Sequence, residues 1–159
     1  MNRLFIMRHG KAVGQAQVDS SRELSVYGRR QVQAMIQCYG SELAAVDTIW
    51  SSDYTRAYQT AKMVANYRQC PHHIKPWLRP VDSLGPVLSA LSDTDQTLLI
   101  VSHQPLVGTL LDSLAGLESG RYYMETAAIA CLQYELPVSG SAEILWLHQP
   151  SDATRYNKD

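Results

Sequence analysis

Short, almost unbroken apolar runs alternate along this chain with stretches whose apolar residues recur every three to four positions. That alternation constrains the fold more than any other feature of the sequence. Leu4–Met7 and Thr97–Val101 are too short for helices and nearly all apolar, as expected of central parallel strands covered on both faces. Val46–Trp50, His73–Lys75, Thr126–Leu136 and Ala142–Leu147 read as further strands. The last two are joined through Pro137–Ser141, a Gly- and Ser-containing turn that predicts an antiparallel hairpin. Between the strands, Val32, Met35, Ile36 and Tyr39 mark one helical face, which Gly40 closes. Tyr54, Ala57, Tyr58, Ala61, Val64 and Ala65 mark a second. Val81 to Leu91 is a weaker third, interrupted near its start by Gly85-Pro86, and Leu106, Val107, Leu110, Leu111 and Leu114 form a fourth behind Pro105. Strands and helices in this order predict an α/β fold with a mostly parallel sheet and an antiparallel edge. With 159 residues there is room for one domain, assigned to residues 1–148, and the polar segment 149–159 is expected to be a loose tail.

Composition narrows the function classes. Fourteen Lys and Arg against fifteen Asp and Glu leave a formal charge of −1, which excludes bulk electrostatic binding to nucleic acid or membrane. Any anion site must therefore be local. Cys38, Cys70 and Cys131 are odd in number and outside any C-x-x-C pattern, which argues against a disulfide framework or a cysteine zinc site and fits a reducing compartment. The apolar stretch near Met1 is too short for a signal-peptide core, and no run approaches a membrane span. The expectation is a soluble cytoplasmic monomer.

In open α/β sheets ligands bind beyond the carboxyl ends of the strands. The first strand ends in Arg8-His9-Gly10, the second in Ser51-Ser52 ahead of a helix carrying Arg56, and the fourth in Ser102-His103 ahead of a helix amino terminus. Two histidines and two arginines thus converge from three segments. Guanidinium forks neutralise a phosphoryl group, helix amino termini donate to its oxygens, and a neutral imidazole can attack phosphorus. Ser25 reads as a helix N-cap. His72 and His73 point to opposite faces of a strand, which disfavours a metal site. Tyr54, Tyr58, Tyr122 and Tyr123 read as packing residues.

Taken together these segments resemble the histidine phosphatase superfamily, the phosphoglycerate mutase-like proteins. The resemblance rests on Arg8-His9-Gly10, on Leu24-Ser25-x-x-Gly28, on Ser51-Ser52-Asp53-Tyr54-Thr55-Arg56-Ala57-Tyr58-Gln59-Thr60, and on Ser102-His103. It is strongest to the short phosphohistidine phosphatases of that superfamily, through Phe5-Ile6-Met7-Arg8-His9-Gly10 and Ser102-His103-x-Pro105-Leu106-Val107-Gly108. What it implies is a three-layer α/β/α sandwich in which His9 is the nucleophile. Arg8 and Arg56 would clamp the phosphoryl oxygens, and His103 would be a second phosphate-contacting histidine, charged in the transition state. Gly10, Arg22 and Gln104 would contact phosphate or substrate. No metal and no cofactor is implied.

Two departures from the wider superfamily matter. The interval between Arg56 and His103 is too short for the helical cap of larger members, so a minimal, open site is expected. Those members also carry a glutamate general acid in this interval. Here no Glu occurs between Glu42 and Glu118, Trp77-Leu78-Arg79-Pro80 stands in the corresponding place, and Asp82 is the nearest carboxylate. The resemblance therefore points to a phosphatase acting on the phosphohistidine of a phosphorelay or phosphotransfer protein. The alternatives are a phosphatase or mutase for small phosphate esters and a catalytically inert phospho-ligand binder.

Overall fold

Alternate side chains of β1 (Asn2–Arg8) leave the sheet in opposite directions, and both directions are buried. Leu4 and Ile6 enter one apolar cluster, while Phe5 and Met7 enter the other. A computed structural model describes residues 1–80 and 83–151. Its elements after β1 are α1 (Val26–Leu43), β2 (Thr48–Ser51), α2 (Thr55–Arg68), β3 (His72–Ile74), α3 (Leu84–Ser92), β4 (Leu98–Ser102), α4 (Leu106–Ala115), β5 (Ile129–Tyr134) and β6 (Glu143–His148). The strands form one sheet in the order β3-β2-β4-β1-β5-β6. β3, β2, β4 and β1 run parallel, and β5 and β6 add the antiparallel edge. The two strands expected to be central, β1 and β4, are neighbours in the middle.

Helices cover both faces. Val32, Met35 and Leu43 of α1 with Ala57, Ala61 and Val64 of α2 pack on Phe5, Ile49, Leu99 and Cys131. Val87 and Leu91 of α3 with Leu106, Leu110 and Leu114 of α4 pack on Leu4, Ile6, Ile100 and Leu132. This is the three-layer α/β/α sandwich, and among the described residues no large helical cap interrupts it. Ser25 caps α1 as expected, its Oγ accepting the Gly28 N–H at 2.9 Å.

The structure corrects three boundaries. Gly40 does not end α1, because the chain only kinks at Tyr39 (φ −122°, ψ 16°) and stays helical to Leu43. β5 begins at Ile129 rather than Thr126, since Ala127 adopts a left-handed φ of 65° and sends its N–H to the carbonyls of Arg8 and His9. The segment after β6 does not begin loose. The Gln149 amide accepts from the Glu125 N–H at 2.9 Å and donates to the Tyr123 carbonyl at 3.0 Å.

Candidate active site

Parallel pairing brings three strand ends together. Arg8 at the end of β1 lies opposite Ser102 at the end of β4, and Ser51 at the end of β2 lies opposite Val101. One residue further on, the His9 N–H donates to the Ser102 carbonyl at 3.0 Å and the Ser52 N–H donates to the Val101 carbonyl at 3.1 Å. His9 and His103 therefore leave the sheet side by side, with ring centroids 5.0 Å apart.

The protonation state of His9 follows from its partners. Nδ1 lies 2.7 Å from the Gly10 carbonyl oxygen, which can only accept, so Nδ1 carries the proton. The lone pair is then on Nε2, where the Arg56 Nε–H donates at 3.3 Å. Burial, opposed by the Gly10 hydrogen bond and reinforced by Arg56, Arg8 and Arg22, pushes the His9 pKa down to about 3. His103, 1% exposed, is pushed down to about 2 by burial, then by His9 and the same arginines. Both rings are neutral at neutral pH. The site is thus an unprotonated imidazole nitrogen among guanidinium groups.

Each guanidinium is held from outside the sheet. Arg56, 4% exposed on the first turn of α2, donates from Nη1 to the Asp19 carbonyl at 2.9 Å and from Nη2 to the Asp19 carboxylate at 3.2 Å. Arg22 donates to the same carboxylate from Nε at 2.8 Å and to the Val13 carbonyl from Nη1 at 3.2 Å. Arg8 Nη1 donates to the Tyr123 hydroxyl at 2.8 Å and to the Met124 carbonyl at 3.0 Å. The buried nitrogens Arg8 Nε and His103 Nδ1 make no hydrogen bond. They are donor and acceptor capacity that a bound group could use.

Gly10 and Gln104 serve their neighbours. Besides accepting from His9, Gly10 donates its N–H to Thr60 Oγ1 at 3.0 Å. A Cβ there would stand 2.8 Å from the Gly28 carbonyl and 2.9 Å from Val32 Cγ2. Gln104 Oε1 accepts the Gly108 N–H at 2.9 Å inside α4. Asp82 lies outside the described residues.

The sequence reading missed several supporting residues. Ser52 Oγ lies 2.8 Å from His103 Nε2. Tyr54 was assigned to packing, yet its ring meets His103 edge-on at 5.1 Å and lies under the Arg56 guanidinium, also at 5.1 Å. Thr60 ties Gly10 to the Arg56 carbonyl, and Gln59 Oε1 accepts the Leu24 N–H at 2.8 Å. The buried carboxylate of Asp112 on α4 collects the N–H groups of Gly120, Arg121 and Tyr122 at 3.0–3.1 Å, and so fixes the loop that carries Tyr123. Ser52, Tyr54, Gln59 and Thr60 carried a signal, as members of the segment Ser51–Thr60. Asp112 reaches the site through folding.

Beside Arg8 a groove of about 880 Å³ opens between α1 and the segment at Tyr123, with Lys11, Tyr27 and Arg30 along it. Among the described residues no three His, Cys, Asp or Glu side chains are grouped to hold a metal, and no helix is long and apolar enough to cross a membrane. Cys131 is buried in the sheet, where burial pushes its thiol up to about 11.

Known proteins resemble this chain in sequence and in fold. The family model described as histidine phosphatase superfamily (branch 1) matches residues 4–83. The phosphohistidine phosphatase SixA of Escherichia coli is 31% identical, covering 92% of this chain and 93% of its own length. A SixA homolog of Haemophilus influenzae is 32% identical, with 93% and 95% covered. A solved structure of the protein histidine phosphatase SixA complexed with tungstate superposes with a TM-score of 0.84 at 29% identity, over 94% of this chain and 98% of that one.

Proposed function

Because the chain belongs to the histidine phosphatase superfamily, we propose that it is a phosphohistidine phosphatase, a hydrolase that breaks the P–N bond of a phosphorylated histidine on a phosphotransfer protein. The observation that carries this reading is His9, with its proton fixed on Nδ1 by the Gly10 carbonyl and its Nε2 lone pair set among arginines. Nε2 attacks phosphorus in line with the departing nitrogen. The P–N bond of the substrate breaks, its electron pair stays on the leaving imidazole, and that nitrogen takes a proton from solvent. Water then attacks the phosphoryl group on His9, which releases orthophosphate and restores the ring. Arg8, Arg56 and Arg22 neutralise the phosphoryl oxygens, and His103 gains a proton as negative charge arrives. Gly10 acts through the ring it orients. Gln104 is assigned to the substrate side through its amide nitrogen, since α4 holds its Oε1.

The bond type follows from the supply of protons. An alkyl phosphate ester expels an alkoxide, whose conjugate acid is as weak an acid as water. Such a leaving group needs a positioned acid, worth about 10²- to 10⁴-fold. Phosphohistidine expels imidazole, whose protonated form has a pKa of about 6.5, so solvent suffices. Asp19 is a poor acid. Its slight burial raises the carboxyl pKa, but Arg56 and Arg22 more than offset this and hold it below the usual carboxylate range. The uncapped groove beside Arg8 leaves room for a protein substrate, and the free cysteines suit the cytoplasm.

The test compares kcat/KM for a phosphorylated histidine phosphotransfer domain, a phosphoramidate and alkyl phosphates. P–N substrates should lead by at least about a hundredfold, the lower end of what general-acid catalysis supplies, and Asp82→Asn should leave the P–N rate within about threefold, less than 1 kcal/mol. Equal rates on alkyl esters, or loss of activity in Asp82→Asn, would replace this reading by a small-ester phosphatase.

A further inference from the structure

The carboxylate of Asp19 occupies two of the three arginines that the proposed reaction needs for its phosphoryl group. Asp19 opens the short 3-10 turn Asp19–Ser21, and its side chain is 61% exposed. Both of its oxygens are nevertheless engaged, Oδ1 by Arg22 Nε at 2.8 Å and Oδ2 by Arg56 Nη2 at 3.2 Å. The turn does not need these bonds, because backbone pairs from the Ser21 N–H to the Val18 carbonyl and from the Arg22 N–H to the Asp19 carbonyl close it. Arg56 does need an anion. Its guanidinium is nearly buried, and a buried charge is tolerated only when it is paired.

We propose that Asp19 is a resident counter-anion of the phosphoryl site. It neutralises Arg56 and Arg22 in the empty enzyme, is exchanged for the phosphoryl group on binding, and returns as orthophosphate leaves. This inference rests on the reading of the site as a phosphoryl site. The exchange sets a charge threshold. A singly charged anion that replaces a carboxylate gains no charge, whereas a phosphoryl group of about −1.5 to −2 gains up to one unit. It also limits how tightly three arginines hold the orthophosphate product. A carboxylate on an exposed turn can move aside without disturbing either apolar cluster. The roles of Asp19 are thus selection of doubly charged ligands and release of product, rather than proton transfer.

The decisive variant is Asp19→Asn, which keeps shape and an acceptor oxygen but removes the charge. Orthophosphate binding is read by calorimetry at about 0.15 M salt, where the Debye length is about 8 Å. The variant should bind about five- to tenfold more tightly than wild type. That factor corresponds to lifting one unit charge about 6 Å from a group of about −1.5 to −2 in a near-aqueous dielectric. Glu23→Gln removes a charge from the same arm, where Glu23 pairs with Gln59 at 3.2 Å. Its shift should stay below about twofold at this salt concentration. In a tungstate-bound structure of wild type the Asp19 carboxylate should no longer lie within salt-bridge distance of Arg56. Unchanged or weaker binding by Asp19→Asn, or an Asp19–Arg56 pair retained beside tungstate, would make Asp19 a scaffold and overturn the proposal. If neither wild type nor variant binds orthophosphate, the phosphoryl reading itself falls, and this inference with it.

Discussion

Binding of a doubly charged anion should draw close to one proton out of neutral solution. Without a bound anion His103 and His9 are neutral, with pKa values pushed down to about 2 and about 3. One negative charge about 4 Å away, at an effective dielectric constant of about 20, favours an imidazolium by about 4 kcal/mol, or about 3 pKa units. Two charges therefore raise the pKa of either ring past neutrality. With the rings only 5.0 Å apart, the first proton suppresses the second, so a single uptake is expected. Sulfate is the probe of choice, because it stays doubly charged across the range and every proton counted belongs to the protein. Calorimetric titration in two buffers of different ionisation enthalpy gives the count, which should approach one at pH 7 and decline by pH 9. The double variant His9→Asn/His103→Asn should bind sulfate more weakly and with no uptake. An uptake of zero in wild type at pH 7, or an undiminished one in the double variant, would refute the claim that these rings are neutral and answer to the bound anion.

Three further outcomes are expected. His9→Ala should abolish turnover while keeping the circular dichroism of wild type, and acid-quenched wild type should carry acid-labile phosphate on His9; label on another residue would remove His9 from its role. Arg8→Lys and Arg56→Lys should each lose at least roughly tenfold in kcat/KM, since an ammonium cannot reproduce a fork whose charge-assisted bonds are worth about 1.5–3 kcal/mol; near-wild-type rates for both would make these arginines structural. Gly28→Ala should destabilise by about 1–3 kcal/mol in urea unfolding, because its Cβ would overlap the Lys11 carbonyl, which is backbone and cannot step aside.

The sheet was legible because β1 and β4 bury both faces, so their apolar runs carry no other pattern. Arg8, His9 and His103 were legible for the same reason, as polar residues placed where apolar strands stop, and Arg56 lies on the helix that follows β2. What escaped was whatever depends on chain reversal. Ala127 departs from β5 because its N–H is drawn to the Arg8 and His9 carbonyls, and a strand-like sequence hides that. The helix α1 passes Gly40 because Leu43 still has an apolar cluster to enter. Asp19 and Tyr123 sit in polar loops that look unremarkable until the arm 11–25 and the segment 117–126 fold back over the strand ends.

The three loop amides gathered by Asp112 bind the support of Arg8 to the body of the molecule. A surface loop ordinarily opens on its own, far below the free energy of global unfolding. Here the stretch leading to Tyr123 is pinned to a carboxylate within α4, a helix whose Leu106, Leu110 and Leu114 lie in the apolar cluster on one face of the sheet. The amides of Gly120, Arg121 and Tyr122 should therefore exchange with deuterium on the slow timescale of core helices. The partners of Arg8 are released when the layer comes apart rather than when a loop breathes.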